Sequence, residues 1–287
     1  MIVWPESLVA EVAERRCAIV LGAGASMGCL SEDGTEHPKN WPAFLNAGIS
    51  RMSNAGDKTE AKRLLRRGLY LDAAQVMVDA LGPSDFGTFI TDELVVPRFQ
   101  ASRIHELIVA VDPKLVITTN YDDIYESYAR SGTAAAGYNV VRYYESHFVN
   151  DLRSRRPLIV KVHGCVSNPQ KVVLTRRQYF DARRSHPQFF AALDAVFLTH
   201  TLLFIGSGFS GDPDIELLLQ NAYISAPSEH PHYAIVEQGR HSSVRRAIED
   251  THNIKFLEYS RGQHPQVVDA LETLNDLVDS FRALRSS

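Results

Sequence analysis

Hydrophobic residues along this chain fall into two patterns. Short apolar runs with little polar alternation occupy Cys17–Gly22, Lys114–Thr119, Leu158–His163, Thr201–Gly206, Tyr233–Val236 and Ile254–Tyr259. Most are dense in Val, Ile and Leu, as expected of parallel strands covered by helices on both faces. Between them, Asp122–Arg130, Asp214–Tyr223 and Ser242–His252 carry apolar residues at helical spacing. Strand, loop, helix, strand predicts an α/β fold with a doubly wound, mostly parallel sheet.

The alternation fails between about residues 41 and 110, where helix signals dominate. Ala61, Leu64, Leu65, Leu69, Ala73, Val76, Met77 and Ala80 predict one helix over Lys58–Leu81, and a second follows Pro83 over Ser84–Leu94. This stretch reads as a helical insertion between the first two strands of a single domain spanning 1–287. Near the C-terminus, Val267, Leu271, Leu274, Val278 and Phe281 form an apolar stripe on a helix over residues 264–284. Such a stripe packs against the sheet or against another subunit.

Composition narrows the function classes. Thirty basic residues against thirty-four acidic ones give a net charge of −4, which offers no electrostatic case for nucleic-acid binding. No run reaches the roughly 18 apolar residues that cross a bilayer. Acids among the first apolar residues argue against a signal peptide, so the expected location is cytoplasmic. The three cysteines, Cys17, Cys29 and Cys165, are too few for a four-cysteine zinc site, and no metal is expected.

Open α/β sheets bind ligands at the carboxyl ends of their strands, so the residues following each run carry the chemistry. The first run ends in Gly22-Ala23-Gly24-Ala25-Ser26-Met27-Gly28, either a simple turn or a backbone cradle for a pyrophosphate. The second ends in Thr118-Thr119-Asn120-Tyr121-Asp122, either a helix cap or an amide and a carboxylate at the mouth of the sheet. The third ends in Lys161-Val162-His163-Gly164, where His163 is structural or a general base and Gly164 leaves room beside it. The fourth ends in Gly206-Ser207-Gly208, a second glycine-rich turn. A hydride-transfer unit would place a second strand and an acidic ribose ligand about 20 residues after the first turn. Here a polar loop over residues 31–40 and then helices follow.

Taken in order, these four segments resemble the sirtuin family, in its divergent bacterial branch of defence-associated, sirtuin-like NAD hydrolases. The resemblance runs from about Cys17 to Ser260 and implies a Rossmann-like sheet. By it, Gly22, Ala23, Gly24 and Ser26 would cradle the NAD pyrophosphate, and Asp122 would line the nicotinamide pocket. Asn120 would hold the nicotinamide ribose and orient water, and His163 would contact the ribose hydroxyls and act as base. Gly206, Ser207 and Gly208 would meet the adenosine half, and Glu237 would touch the adenine ribose. Two features depart from protein-deacylating sirtuins. Their zinc ribbon of two cysteine pairs has no counterpart, because no CxxC occurs in this chain. Their Pro-Asp-Phe-Arg segment is replaced by Pro38-Lys39-Asn40-Trp41-Pro42-Ala43-Phe44-Leu45, closer to the tryptophan-containing segment of the bacterial branch.

The resemblance therefore implies an NAD+ glycohydrolase that releases nicotinamide and ADP-ribose, depleting NAD+ in an anti-phage, abortive-infection system. The alternatives are an NAD-dependent deacylase or ADP-ribosyltransferase, and a non-catalytic sensor of NAD or ADP-ribose. NAD is expected as substrate and no metal as cofactor. Because unchecked NAD hydrolysis endangers the cell, a homo-oligomer governed by a separately encoded regulatory or trigger protein is expected.

Overall fold

The computed structural model describes residues 2–131, 137–207, 219 and 230–286. Seven strands form one sheet: β1 (Cys17–Leu21), β2 (Leu115–Thr118), β3 (Asn139–Arg142), β4 (Leu158–Lys161), β5 (Thr201–Ile205), β6 (His232–Glu237) and β7 (Ile254–Tyr259). Their order is β3-β4-β2-β1-β5-β6-β7, and every neighbouring pair is parallel. From β1 the chain lays β2 beside it, then the edge strand β3, returns to insert β4 between these two, and crosses to place β5 on the other side of β1. The carboxyl ends of β1 and β5 therefore flank the switch point where ligands enter such sheets. Strand β3 escapes the hydrophobic pattern. It is an edge strand, only Val141 of its four residues is buried, and its ends are Asn139 and Arg142.

Among the described residues the helices are α1 (Glu6–Ala13), α2 (Trp41–Arg51), α3 (Ala55–Arg66), α4 (Tyr70–Leu94), α5 (Arg103–Ala110), α6 (Ile124–Ser131), α7 (Phe148–Arg153), α8 (Arg176–Ser185), α9 (Pro187–Thr199), α10 (Ser242–His252) and α11 (Pro265–Ser286). The helix expected over Asp214–Tyr223 lies outside the described residues, Leu219 excepted. Alternate strand residues serve opposite layers. Ala18 and Val20 face a core closed by Phe148 of α7, Tyr179 of α8 and Phe189, Leu193 and Phe197 of α9. Cys17, Ile19 and Leu21 face a second core closed by α1, α5, α6 and α11.

Helices α2 to α5 lie between β1 and β2, and α2, α3 and α4 share a third core around Phe44, Ile49, Met77, Phe89 and Ile90. The single helix expected over Lys58–Leu81 is instead two helices. Gly68, at φ 74°, ends α3 in the left-handed conformation that favours glycine. The expected break before Ser84 is a kink at Gly82 inside α4, with Pro83 starting the second half. Cys165, Val166, Val172 and Leu174, from the segment that follows His163-Gly164, complete this third core.

The stripe on α11 is covered by its own chain. Val267, Leu271, Leu274 and Val278 are buried in the second core, and Arg282 bonds the carbonyls of Ala13 and Val111. This helix packs on α1 and α5, so its stripe is not available to a second copy.

Gly206 and Gly68 share a left-handed backbone but differ in surroundings. A Cβ on Gly206 would stand 2.1 Å from the Ala25 nitrogen, whereas a Cβ on Gly68 would meet nothing within 4 Å. Gly68→Ala is expected to lose about 1 kcal/mol, the strain of a non-glycine residue in that conformation. Gly206→Ala adds overpacking to the same strain and should lose at least ~3 kcal/mol. Urea unfolding of both variants checks the difference, and equal losses would contradict it.

Candidate functional site

The carboxyl ends of β1, β2, β4 and β5 open into one cavity of about 190 Å³. It is lined by Gly22, Ala23 and Ser26 after β1, Thr119 to Asp122 after β2, His163 after β4, and Gly206 and Ser207 after β5. The loop before α2 supplies Pro38 and Lys39, the helical insertion supplies Trp41, Phe44 and Leu94, and α8 contributes Tyr179. Among the expected site residues, Gly24 does not line the cavity. Glu237 does not either; its carboxylate accepts the Gly262 N–H. Gly208 lies outside the described residues.

The two glycine turns are built against each other. Gly22 N–H donates to Ile205 O at 3.0 Å, and Gly24 N–H donates to Gly206 O at 2.9 Å. A Cβ on Gly22 would approach Gly206 O to 2.7 Å, and one on Gly24 would approach Gly206 Cα to 2.8 Å. These glycines are therefore required by backbone-to-backbone packing. Within the same turn, Ala25 N–H donates to Gly22 O and Ser26 N–H to Ala23 O, at 3.0 and 3.1 Å. Ala23 N–H makes no such bond among the described residues, and Ala23 is exposed on the cavity wall.

Ser26 links the first turn to the second. Asn120 Nδ2 donates to the Ser26 hydroxyl at 3.2 Å and to Gly22 O at 3.2 Å, and the hydroxyl donates to Asp122 Oδ2 at 3.3 Å. The single hydroxyl proton is thus committed to Asp122. Asp122 Oδ1 accepts Ile124 N–H at 3.2 Å at the start of α6. The capping role and the cavity position coexist, one carboxylate oxygen for each. Burial pushes the Asp122 pKa up, and the Lys161 ammonium opposes the rise.

The second turn is pinned to β1 and to the segment beyond β4. Thr118 Oγ1 and Thr119 N–H both donate to Leu21 O, at 3.2 and 3.1 Å. Tyr121 O accepts Val166 N–H at 2.9 Å, and the Tyr121 hydroxyl donates to Val173 O at 2.9 Å.

His163 is buried, and its ring meets Tyr179 edge-on at 4.9 Å between centroids. Strands β2 and β4 are paired neighbours, so His163 and the Asn120 turn emerge side by side. Gly164 plays a different part from the one expected. A Cβ there would stand 2.3 Å from Lys171 O, so the space beside the histidine is already filled by backbone at 171–172. Its φ of 83° turns the chain into that contact.

Trp41, Phe44 and Tyr179, which belong to no strand-end motif, join Tyr121 of the second motif in an aromatic lining of the cavity. Trp41 and Phe44 rings stack at 6.0 Å, and Tyr121 tilts against them at 6.4 and 6.5 Å. The sequence did carry signals for two of these elements. Asn40 accepts Ala43 N–H at 3.0 Å, with Pro42 following, and so starts the helix that presents Trp41. Thr175 and Gln178 form a capping box that starts the helix bearing Tyr179.

Between β4 and β5, where deacylating sirtuins carry their zinc ribbon, this chain has a 3₁₀ turn followed by α8 and α9. Among the described residues no group of three or more His, Cys, Asp or Glu side chains is placed to hold a metal. No helix among them is long and apolar enough to cross a membrane.

Several known proteins are similar to this chain in sequence. The chain is 26% identical over 207 residues to the NAD(+) hydrolase ThsA of Acinetobacter baumannii (strain 532279), covering 68% of this chain and 42% of that protein. It is 25% identical over 231 residues to the NAD(+) hydrolase ThsA of Enterococcus faecium, covering 77% and 43%. It is 31% identical over 153 residues to the defense-associated sirtuin 2 of Bacillus subtilis, covering 52% and 14%. The chain thus spans less than half the length of each of these relatives. The profile of the SIR2-like domain matches residues 114–257. That stretch holds β2 with its Asn120 turn, β4 with His163, and β5 with Gly206, and by it the chain belongs to the SIR2-like domain family.

Proposed function

We propose that this chain is an NAD+ glycohydrolase that cleaves the nicotinamide–ribose bond and serves anti-phage defence by depleting NAD+. The observation that carries the reading is the convergence of Asn120 and His163, from the ends of paired strands, on one cavity bordered by both glycine turns. The relatives named as NAD(+) hydrolases and as a defence sirtuin support the same substrate and setting.

The chemistry asks little covalent work of the protein. Nicotinamide is cationic in NAD and leaves neutral, so its departure needs no general acid. As C1′–N cleaves, the bonding pair goes to the ring nitrogen and the ribose takes on oxocarbenium character, as in glycoside hydrolysis. A water oxygen then bonds C1′, and His163 receives its proton. Asn120 holds the ribose and the water in line. Its amide is itself fixed by Gly22 O and Ser26, so the orientation is set before substrate arrives. The Asp122 carboxylate faces the nicotinamide end, where negative charge favours the developing cation.

The pyrophosphate would meet the first turn through Ala23 N–H, since the amides of Gly22, Gly24 and Ser26 and the Ser26 hydroxyl donate within the protein. Gly206 and Ser207 border the adenosine side. The further contacts proposed from the resemblance are Gly208 with the adenosine and Glu237 with the adenine ribose. A homo-oligomer controlled by a separately encoded trigger, acting in the cytoplasm, completes the proposal. Its subunit contact has to lie elsewhere than on the α11 stripe.

The direct test is to incubate pure protein with NAD+ and separate nicotinamide, ADP-ribose, cyclic ADP-ribose and NAD+. Equal amounts of nicotinamide and ADP-ribose are expected. NAD+ bound but unchanged would favour a sensor, and nicotinamide release only with an acylated peptide would favour a deacylase.

Within the hydrolase, His163→Ala should lower turnover by about 10²-fold with a much smaller effect on NAD+ affinity. Asn120→Ala should behave likewise, and the double variant should lose far less than the product of the two. Single-turnover nicotinamide release and calorimetric NAD+ binding check this. Folded, binding-competent variants with parent rates would remove both residues from the mechanism.

Asp122→Asn separates activity from stability. Burial raises the folded-state pKa of Asp122 above its unfolded value, so the native state holds this proton more tightly. Parental stability therefore falls as pH rises from about 4, the ordinary aspartate value, through the raised one. The asparagine variant lacks that loss and keeps the acceptor for Ile124 N–H. Its melting temperature should gain on the parent as pH rises through this window, while nicotinamide release slows. A constant difference in melting temperature across the window would contradict it.

A further inference from the structure

Lys161 is out of keeping with the strand that carries it. Its chain neighbours Val160 and Val162 are buried, and Lys161 itself is 0% exposed. An unpaired ammonium at such a depth would lose its hydration without return. The Nζ donates to Glu126 Oε1 at 2.6 Å and to the backbone carbonyl of Asp122. Glu126 lies in the first turn of α6, and its own side chain is 5% exposed. The same Oε1 accepts the Cys165 thiol at 3.9 Å.

One ammonium thus ties three pieces of the site together. It rises from β4 two residues before His163, holds the last carbonyl of the turn carrying Asn120 and Asp122, and holds the helix that follows. Neither Lys161 nor Glu126 lines the cavity. Burial presses the ammonium to lose its proton, but Glu126, Cys165 and Asp122 around it reverse this, and its pKa stands above the usual lysine value. Burial raises the Glu126 pKa, with Lys161 opposing the rise.

Apolar packing would hold β4 against α6 at least as firmly, because a buried ion pair is seldom more stabilising than well-packed apolar residues of similar volume. What apolar packing lacks is direction. A hydrogen bond to one carbonyl sets where the turn stands along the strand, and the turn in turn sets Asn120 and Asp122. We propose that Lys161 and Glu126 are a positioning pair that fixes the Asn120–Asp122 turn against the strand end carrying His163. The proposal rests on the hydrolase reading of the cavity, which assigns Asn120 and His163 to one reaction.

The test compares the parent with Lys161→Met/Glu126→Leu, which removes both charges and fills their volume. Lys161→Met alone would strand Glu126 and destabilise the fold, so the double variant carries the decision. It should melt within a few degrees of the parent. Nicotinamide release at saturating NAD+ should fall about 10-fold or more, while KM changes less than about 3-fold. In the ligand-free protein, the Asn120 side-chain amide resonances should shift or broaden as their hydrogen bonds to Gly22 O and Ser26 loosen. A purely structural pair would leave kcat and those resonances unmoved in the folded double variant, and that result overturns the proposal. If the parent itself releases no nicotinamide, the hydrolase reading fails. The Asn120 resonances then decide the positioning role alone, a shift supporting it and unmoved signals overturning it.

Discussion

Where β1 and β5 run out at the centre of the sheet, the turns that follow them meet backbone to backbone. Gly24 N–H reaches Gly206 O at 2.9 Å, and no Cβ fits on Gly22, Gly24 or Gly206 without displacing main-chain atoms of the other turn. Main-chain atoms cannot yield as a flexible side chain can, so the contact fixes how the two halves of the sheet abut. Everything else in the site is measured from it. Gly22 O and Ser26, both in the first turn, receive Asn120, and Ser26 then binds Asp122. Glycine is needed at these positions first for assembly, because each lies against main-chain atoms of the other turn.

Behind this contact lies a layer of buried charge. Asp122 and Glu126 are held at raised pKa by burial, and Lys161 sits between them. Such a cluster is a poor way to stabilise a protein and a good way to orient groups, since charge-assisted hydrogen bonds are short and directional. Beside it, Trp41, Phe44 and Tyr121 form an aromatic wall of the cavity. Between β4 and β5 stand two helices, the first of which brings Tyr179 to His163.

Much of this was legible in the residues themselves. Dense runs of Val, Ile and Leu identified six strands, because burial on both faces leaves no room for polar alternation. Histidine, asparagine and glycine at strand ends marked the site, because open parallel sheets concentrate ligands there. The edge strand β3 stayed hidden, since one covered face and one partner need only Val141 to be buried. The division of Lys58–Leu81 at Gly68 stayed hidden as well, because the apolar spacing runs on past the glycine.

By itself the sequence determined the α/β class, the order of the chemical motifs along the chain and the lack of cysteine pairs for a zinc ribbon, all of them properties of residue type and spacing. Only the tertiary structure decided what each motif binds. It committed the Ser26 proton to Asp122, filled the space at Gly164 with Lys171 backbone, turned Glu237 to Gly262, and covered the α11 stripe with α1 and α5. The physical reason is that a hydrogen bond or a close contact depends on distances between residues far apart in the chain. Those distances are set by how the sheet and its helices pack, and no local pattern encodes them.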